Sequence, residues 1–218
     1  MRSLRRLKKD GNSMDKYAAF LRGINVGGHV LVPMQELKQS FESLKFENVQ
    51  TLLASGNIVF EALKAPTAAL EQNIQEMLHR RFGHRIGVHV RKMEEMQRLF
   101  RSQPFKGIKI TPQTRLYVTF LSELSGSSRK VPHMPPGSNF RILSVSGKEV
   151  CSTLVLSPNT RTVHLMKILE KEYGSEVTTR NWNSIIRVHN AFQNEQFSPV
   201  SRPSPSPMKE NHYGRPKE

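Results

Sequence analysis

The chain has 218 residues, which is enough to bury the core of one large domain or two small ones. Its hydrophobic share of 37% and charged share of 23% are typical of a globular protein, and its longest apolar run, Tyr17 to Leu21, is far shorter than the ~20 residues that span a bilayer. Cys151 is the only cysteine, which excludes an intrachain disulfide and a cysteine-based zinc site and favours the reducing cytoplasm.

Both ends of the chain lack a pattern that could bury an apolar face. Residues 1–13 are basic and aperiodic, so we predict a disordered arm, or else a translation start at Met14. Residues 193–218 are rich in Ser and Pro, so we predict a disordered tail. The net charge is +15, and residues 15–192 carry +10 of it. The basic character therefore belongs to the part that folds.

Residues 14–91 show the order strand, helix, strand, strand, helix, strand. Apolar alternation starts at Tyr17, Pro33 and Pro66 open two helices with apolar stripes, and Gly83 is the predicted end of the second. This order is that of the ferredoxin-like plait, an open antiparallel sheet with both helices on one face. The predicted fold class is therefore α+β.

Residues 92–192 partly repeat this order after a linking helix. They offer three strands, a helix that ends at Gly174, and a last helix over about 181–192. Between Ser122 and Asn139, three prolines and a Ser/Gly cluster stand where a crossover helix is expected. We predict two successive plaits with antiparallel sheets, of which the second is irregular.

The loop Gly23–Gly28 has the outline of a phosphate-binding loop, G-x-x-x-x-G. An NTPase loop continues with Lys and then Ser or Thr, but His29 and Val30 follow here, so that interpretation fails. A weaker interpretation is an anion-binding nest with Arg22 and Asn25. The alternative is a tight loop that needs glycine for steric reasons.

Other kinds of site have little support. RNA recognition on a plait needs aromatic residues on the third strand, where Ser55–Ala62 offers one aromatic residue and an acid. The eight histidines show no metal-ligand spacing, Ser55 has no nucleophile context, and Cys151 is expected to be a small buried residue. We therefore expect no catalytic residue, no metal and no cofactor.

Several polar residues are predicted to meet at one edge of the first sheet. The first and third strands of a plait are adjacent and antiparallel, so the end of one lies beside the start of the other. A polar helix start at residues 180–183 is expected to dock there. The candidate binding residues are Arg22, Asn25, Gly27, Gly28, Ser55, Asn57, Arg180 and Asn181. The alternative is a hydrogen-bonded interface that locks the two halves together.

Three motifs carry a family resemblance: Tyr17–Gly28, Ser55–Phe60 and Thr178–Asn183. In this order they resemble the largely bacterial family catalogued as domain of unknown function 1697, over roughly residues 15–190. The resemblance implies two successive α/β plaits and a cytoplasmic protein, with no established activity or cofactor. Members commonly have Lys-Asn where His29 and Val30 stand.

The function expected from charge and site is a non-catalytic module that binds a small anion or nucleotide between the two halves. Two alternatives stay open. One is a basic protein that associates weakly and non-specifically with nucleic acid, and the other is an enzyme acting on an anionic substrate. No membrane partner is expected.

Overall fold

The computed structural model describes residues 13–26, 30–122, 138–158 and 162–193. The strands in these ranges are β1 (Met14–Leu21), β2 (Glu47–Leu52), β3 (Asn57–Leu63), β4 (Val88–Lys92), β5 (Thr114–Phe120), β6 (Phe140–Ser146), β7 (Glu149–Val155) and β8 (Thr178–Asn181). The helices are α1 (Met34–Ser43), α2 (Thr67–Phe82), α3 (Met93–Arg101), α4 (Thr162–Tyr173) and α5 (Trp182–Gln193).

The strands form two four-stranded antiparallel sheets with matching strand orders, β2-β3-β1-β4 and β6-β7-β5-β8. The predicted α+β class with antiparallel sheets is confirmed. The arm predicted over 1–13 and the tail predicted over 193–218 lie outside the described residues, apart from Ser13 and Gln193. The predicted crossover without a helix lies outside them as well, except at its edges.

The outer faces of the two sheets are covered by helices. Helices α1 and α2 pack on the face of the first sheet that carries Tyr17, Ala19 and Leu21, and together they form one core. Helix α4 packs on the face of the second sheet that carries Tyr117 and Val150, and together they form a second core. Helix α2 ends at Gly83, as predicted, because that residue takes the left-handed conformation (φ 73°) and closes the helix with a hydrogen bond to the carbonyl of His79.

The inner faces of the two sheets pack against each other. Ala18, Phe20 and Val59 of the first sheet are fully buried in one cluster with Val118 and Phe120 of the second. The rings of Phe20 and Phe120 stack with their centroids 4.0 Å apart. Because both faces of each sheet are covered, the central strands appear in sequence as nearly continuous apolar runs.

Helices α3 and α5 complete this middle layer. Met96 of α3 and Ile185 of α5 are buried in the same cluster, and Phe100 stacks on His189 with ring centroids 4.0 Å apart. The segment predicted as a linking helix is thus part of the interface between the halves. Strand β8 was not predicted, because four residues directly before a helix carry too short a pattern. No helix in the described ranges is long and apolar enough to cross a membrane.

Candidate functional site

Arg180 lies on β8 and reaches across to the first half of the chain. Its side chain is buried, and all three guanidinium nitrogens donate hydrogen bonds. The acceptors are the Asn57 amide oxygen at 2.6 Å, the Ser55, Gly56 and Thr179 carbonyls at 3.0, 3.4 and 3.0 Å, the Thr178 hydroxyl at 3.0 Å, and the Leu21 carbonyl. This arrangement leaves the guanidinium committed to protein acceptors.

Burial lowers the pKa of Arg180 to about 10, so the side chain is still charged at neutral pH. The acceptors named above are amide, hydroxyl and carbonyl oxygens, and none of them is a carboxylate. A buried arginine whose donors are all used in this way supports the alternative given above, a hydrogen-bonded interface that locks the two halves together. A ligand at Arg180 would have to replace several charge-assisted hydrogen bonds within a packed interface.

Asn25 and Asn57 also serve the local structure. The amide group of Asn25 donates to the carbonyls of Ala54 (2.8 Å) and Val32 (3.0 Å), and its oxygen accepts from the Val32 N–H. Asn25 itself has φ 55°, a conformation that asparagine tolerates. Asn57 donates to the Ser55 hydroxyl at 3.0 Å. These contacts hold the loop after β1 against the turn between β2 and β3.

The remaining candidate residues separate from this group. Asn181 caps α5, since its side-chain oxygen accepts from the Ser184 N–H at 2.8 Å. Arg22 forms a half-exposed ion pair of 2.9 Å with Glu170 on α4. Gly27 and Gly28 lie outside the described residues. Among the eight candidates, therefore, the structure brings Ser55, Asn57 and Arg180 together, and Asn25 braces the adjoining loop.

A second buried arginine, Arg91, was not singled out from the sequence. Arg91 pairs with Ala18 across β4 and β1, just as Arg180 pairs with Val118 across β8 and β5. The two arginines therefore occupy equivalent positions in sheets with equivalent strand orders. Each is buried, and each extends into the opposite half of the chain.

Arg91 donates to the Glu149 carboxylate at 2.6 Å and to the carbonyls of Leu121 and Lys148 at 2.8 and 3.1 Å. These acceptors lie at the end of β5 and at the turn before β7. Arg180 contacts the matching places of the first half, the end of β1 and the turn before β3. The interface is thus held by two reciprocal arginine contacts.

An open groove lies between the halves beside Arg22. It consists of two adjoining cavities, of about 550 Å³ and about 410 Å³, that share Gln75, Gly87 and Glu176. It is lined by residues of helix α2, of the segment that leads into β4 and of the loop after β1, together with Glu176 and Ser122 of the second half. The larger cavity is also lined by Arg22, Glu76, His79, Arg85 and Ile86, and the smaller by Ala68, Glu71, Gln72, Val88, His89 and Ser122. We call this the inter-half groove.

His89 lies in the wall of the inter-half groove and is 3% exposed. Burial, together with the charges of Arg91, Arg180 and Arg22, lowers the pKa of His89 to about 3, so the ring is neutral at physiological pH. The ring hydrogen-bonds to the backbone of Leu121. Its Nδ1 is buried and has no hydrogen-bond partner in the described part of the chain, which is unusual for a polar atom in a protein interior.

Two signals in the sequence could have pointed to these residues. Tyr17–Leu21 and Tyr117–Leu121 share Tyr, Phe and Leu at the same positions, which marks a repeated strand. The segment His79–Arg85 contains five cationic or imidazole side chains around Gly83. Metal binding has no such support, because the described residues contain no group of three or more His, Cys, Asp or Glu that could hold an ion.

Comparisons with known proteins give a family and a fold. The model of the family described as protein of unknown function DUF1697 matches residues 14–134. The structure of conserved bacterial protein SP0830 from Streptococcus pneumoniae matches with a TM-score of 0.62 and 20% identity, covering 82% of this chain and 99% of that chain. At this level of identity the likeness shows a common fold. No curated protein matches the chain.

Proposed function

The chain belongs to the DUF1697 family, whose description assigns no activity, and we propose that it is a non-catalytic module that binds a small anion or nucleotide in the inter-half groove. One observation carries the proposal. Arg22, His79 and Arg85 are gathered at an open cavity of about 550 Å³ between the two halves. A cleft with a few convergent polar groups is the default place for a small ligand.

Of the two candidate arginines, Arg22 is more available to an anion than Arg180. Arg180 is saturated by protein acceptors, whereas Arg22 is half-exposed and held by a single ion pair with Glu170. An exposed ion pair contributes at most about 1 kcal/mol, so an incoming anion can replace it at small cost. Arg85 and His79 are exposed beside it.

We also infer that each half is a ferredoxin-like plait. The element order of the first half and the shared strand order of both sheets support this assignment. The inner face of each plait, which RNA-binding plaits use for stacking bases, is occupied here by the opposite half. This arrangement favours a ligand at the edge between the sheets over one on a sheet face.

A thermal-shift titration of the full chain tests the proposal. Inorganic phosphate, ribose 5-phosphate and adenosine 5′-monophosphate should each raise the melting temperature in a saturable manner, because a ligand that binds only the folded state stabilises it by mass action. Arg85→Gln should reduce the shift, while Arg101→Gln removes an equal charge at the end of α3 and should leave it unchanged. No shift with any of the three compounds would refute the proposal.

Non-specific binding of nucleic acid is the second candidate. The exposed Arg80, Arg81, His84 and Arg85 surround the end of α2 and favour contact with a phosphate backbone. Binding of this kind would weaken steeply with added salt and would not saturate at one mononucleotide per chain. A cytoplasmic location remains a prediction from the sequence.

A further inference from the structure

The two halves of the chain are related as the subunits of a two-fold dimer are. In such a dimer, each contact between two positions is repeated with the roles exchanged. Arg180 meets the carbonyl of Leu21, and Arg91 meets the carbonyl of Leu121. The stack of Phe20 on Phe120 joins equivalent residues to each other, as a contact on the axis must.

Equivalent positions of the two halves also meet in the inter-half groove. Arg22 and Ser122 each follow directly on the equivalent leucines at the ends of β1 and β5. Gly87 and Glu176 each precede the equivalent arginines by four residues. All four of these residues line the groove, so equivalent backbone positions of both halves meet there.

The side chains at these equivalent positions differ in chemistry. The first half supplies a cation at Arg22, where the second supplies the hydroxyl of Ser122. The second half supplies a carboxylate at Glu176, where the first has Gly87. A Cβ at Gly87 would lie 3.3 Å from the Cβ of Arg22 and 3.6 Å from the Glu176 carboxylate. The glycine therefore lets Arg22 and Glu176 lie close to the backbone at position 87. The symmetry is broken at the residues that a ligand would touch.

The groove has two ends of different polarity as a result. Its larger cavity is lined by the cationic side chains of Arg22 and Arg85, with His79 beside them. The described residues that line its smaller cavity include Glu71, Gln72 and Ser122, and none of them is an arginine or a lysine. The carboxylate of Glu176 lies between the two ends, since it lines both cavities.

We propose that the inter-half groove binds an organophosphate whose organic part donates hydrogen bonds, with the phosphate at Arg22 and Arg85 and the hydroxyl or amine donors at Glu176. This assignment rests on the proposed function and specifies its ligand. A bare phosphate would meet the carboxylates of Glu76 and Glu176 beside the cations, and repulsion between like charges would weaken its binding. An organic part with donors turns the second carboxylate into a partner.

Isothermal titration of the full chain with three compounds tests the assignment. Inorganic phosphate carries no organic donors, ribose 5-phosphate adds hydroxyls, and adenosine 5′-monophosphate adds a base with an amine. Glu176→Gln keeps the size of the side chain and removes the charge that accepts these donors. Since Glu176 and Arg85 are exposed, both variants should fold, which circular dichroism checks.

We expect Glu176→Gln to weaken binding of the organic phosphates about 10-fold, the usual effect of losing a hydrogen bond to a charged group, and to leave inorganic phosphate unaffected or slightly tighter. Arg85→Gln should weaken all three compounds, and Arg101→Gln none. A loss confined to adenosine 5′-monophosphate assigns the donor to the base, and an equal loss for ribose 5-phosphate assigns it to the sugar.

Two other results overturn the assignment in distinguishable ways. If all three compounds bind equally, depend on Arg85 and ignore Glu176→Gln, the groove is a simple anion site, and the proposed function survives without this ligand class. If none of them binds, the proposed function itself fails together with the assignment.

Discussion

Arg91 and Arg180 exchange contacts across the interface, each bonding to the carbonyl that ends the first strand of the opposite half, at Leu121 and Leu21 respectively. Their charged surroundings differ, since Arg91 lies 3.8 Å from the carboxylate of Glu71. Arg91 also pairs with the carboxylate of Glu149, whereas the equivalent partner of Arg180 is the neutral amide of Asn57. Arg180 therefore depends more strongly on backbone carbonyls.

Replacing Arg180 with alanine should destabilise the fold by about 3 to 5 kcal/mol, because several buried acceptors lose a charged donor at once. Urea unfolding followed by circular dichroism measures the change. Arg187→Ala, on the exposed side of α5, is the control and should change the free energy of unfolding by less than about 0.5 kcal/mol. Normal stability of the Arg180 variant would show that this interface is not needed for folding.

The sequence predicts the elements of the first half well because each has a local signal. Pro33 and Pro66 open the two helices, and Gly83 ends the second with the left-handed conformation expected of it. The neighbourhood of Ser55 and Asn57 follows from strand adjacency alone. Local signals of this kind do not require knowledge of what packs on the outside.

The interface was harder to predict because it depends on which sheet faces meet. Arg91 stands between Val90 and Lys92 with no motif around it. Its role comes only from its contacts with the second half of the chain, such as the hydrogen bond to Glu149. The saturation of Arg180 also could not be read from sequence, since most of its acceptors are backbone carbonyls. A search for internal repeats, started from Tyr17 and Tyr117, would have found the equivalence of the halves.

Gly56→Ala should destabilise the chain more than Gly23→Ala. Both glycines have positive φ (73° and 68°), so alanine is strained at either site. A Cβ at Gly56 would lie only 2.8 Å from the Cδ1 of Ile24 and 2.9 Å from the Cβ of Leu21, while nothing lies within 4 Å at Gly23. We expect about 1 to 3 kcal/mol of additional loss at Gly56, measured by urea unfolding. Equal losses would mean that the turn can move away from the new methyl group.

Cys151 should be inert in the folded protein. It is 3% exposed, and burial raises the pKa of its thiol to about 11, so very little thiolate exists at neutral pH. Ellman's reagent should therefore react with the native protein only as fast as the chain opens. In a denaturing concentration of urea, about 6 M, the reaction should be rapid. Because no other cysteine is present, the reaction reports on this site alone. Fast modification of the native chain would contradict the packing of the two sheets.

Phe20 and Phe120 should be energetically coupled. Their rings stack at 4.0 Å with an angle of 14° between the planes, and both side chains are fully buried. A double-mutant cycle with Phe20→Leu and Phe120→Leu should give a coupling energy of about 0.5 to 1.5 kcal/mol. The pair Phe20→Leu and Phe41→Leu, which joins different cores, is the control and should be additive. Additivity of the first pair would show that the sheets do not pack directly in solution.

His89 should make the protein sensitive to mild acid. The pKa of this histidine is about 3 in the folded chain against an ordinary value of 6.5, so the unfolded chain binds the proton more readily. Stability due to this residue is complete above pH 6.5 and is lost as the pH falls toward 3. Between pH 7 and pH 5 the loss should be about 2 kcal/mol.

The variant His89→Gln keeps a hydrogen-bond donor but cannot titrate in this range. Its free energy of unfolding should therefore fall less than that of the native chain between pH 7 and pH 5, when both are measured by urea unfolding. His84→Gln, at an exposed position in the turn after α2, is the matched control and should retain the acid sensitivity of the native chain. If His89→Gln and the native chain lose stability in parallel, the interface rearranges to accommodate a protonated His89. The fold then does not require a neutral ring at this position.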